Sequence, residues 1–158
     1  MNVEAVMTRN VKFAGSNATL ADAARVMAES NCGAVPIIDN EKRVVGMITD
    51  RDICLAMATA TRLASQIPVE KVMAKRVFSC GPEDDLETAL QTMQSRKVRR
   101  LPVIGDDGKL QGILSMDDVV VHAEVGAGKR APEIGYGRTV ETLKAIYRRG
   151  IQARPLPV

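Results

Sequence analysis

Apolar residues fall at Leu20, Ala23, Ala24 and Met27, and again at Leu86, Ala89, Leu90 and Met93. Spacings of three and four predict a short amphipathic helix at each place. Each helix is followed by a short apolar run, VPIID from Val35 and LPVIG from Leu101, whose early proline lacks a backbone donor and suits a strand start or an edge. Turn chemistry comes next, Asp39-Asn40-Glu41-Lys42 and Gly105-Asp106-Asp107-Gly108, and VVGMI and LQGIL return as the second strand of a hairpin. Beyond Thr49 and Ser115 the pattern turns helical again.

The two series are one series written twice. Sliding the chain by 66 positions pairs Val6-Met7 with Val72-Met73, Gly15 with Gly81, Pro36 with Pro102, Gly46 with Gly112 and Asp52 with Asp118, without a gap. Thirteen of the 52 pairs between Val3 and Cys54 are identical, against roughly three expected from ordinary residue frequencies. One such unit, about 50 residues long, could not bury an adequate core alone, whereas two back to back could. The fold class is therefore α+β, two repeats each with a small sheet and two packing helices. The expected boundaries are residues 1–60 for the first repeat, 61–67 for a linker, 68–123 for the second repeat and 124–158 for a C-terminal extension.

Composition narrows the functions. A chain of 158 residues with 46% hydrophobic and 26% charged residues is ordinary globular material. With two Phe, two Tyr and no Trp, stacking platforms for single-stranded nucleic acid are nearly absent. Cys32, Cys54 and Cys80 match no zinc spacing and read as reduced thiols, and His122 stands alone. No nucleophile–base pair or metal constellation is visible, so no catalytic residue, metal or catalytic cofactor is expected and the chain is read as a non-enzyme. MNVEAVMTRN has no apolar run long enough for a signal peptide, and no later segment approaches a membrane span, which predicts a cytoplasmic protein.

The residues now carry a resemblance. VMTRNV and VMAKRV open the two units, GAVPIID and VRRLPVIG form their middles, and both end in G-h-h-[ST]-x-x-D, at Gly46 to Asp52 and Gly112 to Asp118. The pair resembles a tandem of CBS (cystathionine beta-synthase) domains, a Bateman module of the stand-alone bacterial kind, over about residues 1 to 123. The resemblance implies sandwiched sheets about a pseudo-twofold axis, two clefts that bind adenosine nucleotides or related adenosyl ligands, and assembly into a disc-shaped dimer. It also implies base pockets lined near Val11 and Val35 in the first repeat and Val77 and Leu101 in the second, with Arg99 and Arg100 as phosphate contacts.

The shared G-h-h-[ST]-x-x-D ending has its own chemistry. A helix N-terminus offers unpaired N–H groups and positive potential to an anion, and Thr49 or Ser115 adds a hydroxyl donor there. One turn on, Asp52 or Asp118 could accept the two hydroxyls of a ribose. Ser/Thr-x-x-acid is equally a capping box, but that box prefers Glu or Gln, because Asp is short for the reach back, and both copies use Asp. Taken with the repeat, this favours an adenine nucleotide, with AMP, ADP, ATP, NAD and S-adenosylmethionine left open. The copies differ in charge: Arg51 should favour phosphate in the first cleft, whereas the matching Asp117 should repel it in the second.

Partners follow in the same terms. The apolar Ile53, Leu55, Met57, Val119 and Val120 predict a homodimer through the helices after Asp52 and Asp118. The extension holds seven Lys or Arg against three Glu, while residues 1–123 hold fifteen against sixteen acids, so basic character is local. Gly126 to Gly137 reads as a flexible connection, and TVETLKAIYRRG as a helix with Val140, Leu143 and Tyr147 on one face, Gly150 as its stop and a partner subunit as its dock. The expected function is a regulatory ligand sensor with an unidentified protein partner. The alternative is a constitutive structural or nucleic-acid-associated dimer with empty clefts, for which no recognisable motif speaks.

Overall fold

The computed structural model describes residues 1–125 and 133–148. It is a mixed α/β chain with two three-stranded sheets and five α-helices among the described residues. In order these are β1 (Thr8–Arg9), β2 (Ala14–Gly15), α1 (Leu20–Glu29), β3 (Ala34–Ile38), β4 (Val44–Thr49), α2 (Asp50–Thr59), α3 (Leu86–Arg96), β5 (Arg100–Ile104), β6 (Leu110–Ser115), α4 (Met116–Val121) and α5 (Tyr136–Tyr147). The expected helix, hairpin, helix series is present in both repeats. Among the described residues no helix is long and apolar enough to cross a membrane.

The chain divides into two compact units that do not coincide with the two repeats. One unit holds Met1–Arg9, Phe78–Val103 and the described residues from Gly112 on; the other holds Asn10–Val77 and Ile104–Gln111. Each repeat's opening segment is thus built into the other repeat's unit. In the first unit β1 pairs antiparallel with β6, Thr8 opposite Ile113 and Arg9 opposite Gly112. In the second, Ala74 takes the same place against Met47, with reciprocal backbone bonds of 2.8 and 3.0 Å. Register explains two motif glycines. A β-carbon on Gly112 would lie 2.7 Å from Met7 Sδ, and one on Gly46 would run into Met73 Sδ, so each glycine admits the crossing methionine.

Each unit has its own core. Val3, Val6 and Met7 from the opening segment join Leu86, Leu90, Met93, Leu101, Val103, Leu114 and Val119 in one. Leu20, Met27, Val35, Ile37, Ile48 and Val69 make the other. The helical spacing buries the whole predicted face in the second repeat; in the first, Leu20, Ala23 and Met27 are buried while Ala24 is exposed.

The extension departs from expectation. Its helix starts at Tyr136, inside the segment read as a flexible connection, and it buries Thr139, Thr142 and Ile146. Val140 and Tyr147 are about half exposed, at 49% and 55%, so only Leu143 of the expected face packs on the core. Polar contacts set this rotation. Gln94 Nε2 donates to Thr142 Oγ1 at 2.8 Å, Lys97 Nζ donates to the Ala145 carbonyl, Arg99 donates to the Tyr147 hydroxyl at 3.2 Å, and Arg138 Nε donates to Glu87 at 2.9 Å. The helix thus docks on α3 of its own chain, which corrects the expectation of a partner-subunit dock. Gly150, the expected stop, lies outside the described residues.

Candidate functional site

Both motif ends are capping boxes. Thr49 is the N-cap of α2, with extended backbone at φ −116° and ψ 161°. Its Oγ1 accepts the Asp52 N–H at 3.1 Å and donates its own proton to Asp52 Oδ2 at 2.7 Å, and the Thr49 N–H reaches the same oxygen at 2.9 Å. Asp is therefore long enough for the reach back, contrary to expectation, because the extended N-cap turns its amide toward the first turn. The helix start is not bare either. Asp50 N–H donates to the Gly33 carbonyl at 3.1 Å and Arg51 N–H to Asp50 Oδ1 at 2.7 Å, so an anion already caps this end. The expected phosphate site on unpaired N–H groups and a free Thr49 hydroxyl is corrected accordingly.

The second copy repeats the geometry. Ser115 Oγ accepts from Asp118 N–H at 3.2 Å and donates to Asp118 Oδ2 at 2.5 Å, while Ser115 N–H donates to that oxygen at 2.7 Å. The Met116 N–H is held by the Arg99 carbonyl, as that of Asp50 is by Gly33. A third box, Thr19 with Asp22, starts α1 outside the motif.

What separates the three boxes is the other carboxylate oxygen. Asp22 Oδ1 faces Arg25 at 3.4 Å, and its hydrogen bonds from Thr19 hold its carboxyl below the usual range. Asp118 Oδ1 accepts from the Thr8 hydroxyl at 2.7 Å. Among the described residues none donates to Asp52 Oδ1, and Asp52 is half-buried at the helix start. Sequence reasoning missed Thr8. The signal available was that VMT in the first opening segment stands against VMA in the second, Thr8 against Ala74.

The surrounding residues are disposed unequally. Arg51 is exposed, and among the described residues its guanidinium makes no ion pair. Arg100 sits 3.5 Å from Asp117, so the carboxylate expected to repel phosphate is partly neutralised by an arginine expected to bind it. Arg99 is engaged with Tyr147. Val11 and Val77 are half-buried, whereas the Val35 and Leu101 side chains are fully buried core residues, leaving only their backbone to line a pocket. Thr49, Arg51, Asp52, Val11 and Val35 share one unit; Ser115, Asp118, Leu101, Arg99 and Arg100 share the other, and Val77 falls in the first group's unit.

Comparisons with known proteins agree on the kind of chain. The model of the CBS domain matches residues 3–59 and 69–124. The CBS domain-containing protein YhcV of Bacillus subtilis (strain 168) is 37% identical over 121 residues, covering 77% of this chain and 84% of that protein. A crystal structure of a putative acetoin utilization protein (AcuB) from Vibrio cholerae is similar at 33% identity and a TM-score of 0.69, covering 77% of this chain and 88% of that one. The CBS domain pair of protein MJ0100, in complex with 5′-methylthioadenosine and S-adenosyl-L-methionine, shares the fold at 23% identity and a TM-score of 0.69, over 77% and 94% of the two chains.

Proposed function

The chain belongs to the CBS domain family, and from that premise we propose that it is a non-enzymatic regulatory module that binds an adenine nucleotide or related adenosyl ligand. One observation carries the reading: Asp52 is oriented by three hydrogen bonds within its capping box yet keeps Oδ1 clear of any described donor. A carboxylate held in this way loses little freedom when it accepts the hydroxyls of a ribose. Val11 and the Val35 backbone are the apolar neighbours for the base. Because the first N–H groups of α2 are already engaged, phosphate is drawn by the Arg51 guanidinium, which among the described residues makes no ion pair. The related pair that holds two adenosyl compounds lends support at the level of fold.

Occupancy is passed on as a change of homodimer geometry, and ligand can drive such a change only by binding two arrangements unequally. Leu55 and Val120 are 48% and 50% exposed and remain available to a second copy, whereas Val119 is spent in the core. The test is a thermal-shift panel of AMP, ADP, ATP, NAD, S-adenosylmethionine and adenosine. Saturation at about 100 times Kd should add roughly 2.7 kcal/mol per site. Asp52→Ala should abolish the ligand shift, while Asp22→Ala, which breaks an equivalent box elsewhere, should lower stability and keep it. If no adenosyl compound shifts the folded protein, the clefts are structural and the constitutive dimer is the better account.

A further inference from the structure

Thr8 and Ala74 occupy the same place in the two units. Each lies in an opening segment, 66 positions apart, and pairs antiparallel with a motif strand, Thr8 with Ile113 and Ala74 with Met47, also 66 apart. The carboxylates one turn beyond those strands are held alike, each by a hydroxyl and an amide on Oδ2. Asp118 Oδ1 accepts the Thr8 hydroxyl at 2.7 Å. The position that matches Thr8 in the other unit is Ala74, whose methyl cannot donate, and among the described residues no donor reaches Asp52 Oδ1.

We propose that Thr8 decides which repeat takes the adenosyl ligand, by occupying the Asp118 oxygen that a ribose would need, while Ala74 leaves the corresponding Asp52 oxygen open. The inference rests on the adenosyl reading and adds to it a stoichiometry of one ligand per chain. The hydroxyl-to-carboxylate bond is charge-assisted, and such bonds are about twice as strong as neutral ones, so a ribose hydroxyl gains little by replacing it. In repeat one the ribose has no described side-chain donor to displace from Asp52 Oδ1. The discrimination is independent of phosphate, since it acts at the sugar, and so it holds for uncharged adenosine, where Arg51 and Asp117 contribute almost nothing.

Titration calorimetry of the full chain with adenosine and with AMP tests it, with circular dichroism to verify folding. The wild type should bind one equivalent. Thr8→Ala should gain a second site, Thr8→Ser should keep one because it keeps the hydroxyl, and Ala74→Thr should weaken the original site about tenfold, the loss equivalent to 1.4 kcal/mol. Ala74 is exposed, so the added hydroxyl has room. Two equal sites in the wild type, or one unchanged site in both Thr8→Ala and Ala74→Thr, would overturn the role of Thr8 and leave the adenosyl reading standing. No binding of either compound to any of these proteins would overturn both.

Discussion

Gly112 and Met7 meet where β1 crosses β6, and a β-carbon on Gly112 would stand 2.7 Å from Met7 Sδ and 2.9 Å from the Thr8 carbonyl oxygen. Backbone cannot give way as a side chain can. Gly112→Ala should therefore destabilise the protein by about 1–3 kcal/mol, the usual cost of overpacking. Gly137→Ala in α5 meets nothing within 4 Å and should do the opposite, gaining up to about 1 kcal/mol from helix propensity. Urea denaturation of the two variants gives shifts of opposite sign if the crossing is as described.

Cys80 is buried beside the parallel bridge to Val103, and burial, with a smaller contribution from Asp84, pushes its thiol from 9.0 up to about 12. Between those values the folded protein keeps a proton that the unfolded chain has released. Stability is thus unaffected below about pH 9 and falls as pH rises through the window. Cys80→Ala should flatten that alkaline decline in thermal melts. Iodoacetamide at pH 8 should label the exposed Cys54 well before Cys80.

Thr142 is fully buried and bridges two helices, accepting from Gln94 and donating to the Arg138 carbonyl at 3.0 Å. Thr142→Val keeps the shape and strands the Gln94 amide, at a cost of about 1–3 kcal/mol. Adding Gln94→Leu removes the stranded donor and should recover part of that loss. A double-mutant cycle showing strict additivity would mean that α5 is held by its apolar contacts alone.

Arg51→Ala should weaken AMP or ATP much more than adenosine, because Arg51 adjoins the capped helix start and among the described residues its guanidinium makes no ion pair. The salt dependence of nucleotide affinity should fall with it, since a screened charge contact has gone. Equal losses for adenosine and AMP would assign Arg51 to packing.

The helices and hairpins were legible because their apolar spacing is local: Leu20, Ala23 and Met27 declare a face without reference to anything distant. Pairing between remote segments is different. Val6-Met7 and Val72-Met73 are identical, and either would fit either sheet, so nothing in the letters says that they are exchanged. The buried face of α5 departs from its apolar pattern for a related reason. Val140 scores as apolar and Thr142 as polar, but Gln94, 48 positions away, satisfies the Thr142 hydroxyl inside the core. Asp52 was found from its motif, and its difference from Asp118 was not, because that difference lies in Thr8, 110 positions from its partner.

The exchange of opening segments makes the two halves mutually dependent. Cut between the repeats, the N-terminal piece would keep Val6 and Met7, which belong in the core of the other unit, and would lose Val69 from its own. Each fragment would be left with one edge of its motif strand unpaired and its glycine with nothing to admit, an edge ready to accept a foreign strand. Mixed together, the two pieces supply what each other lacks, and a reporter split at this junction would regain its signal only when both halves meet.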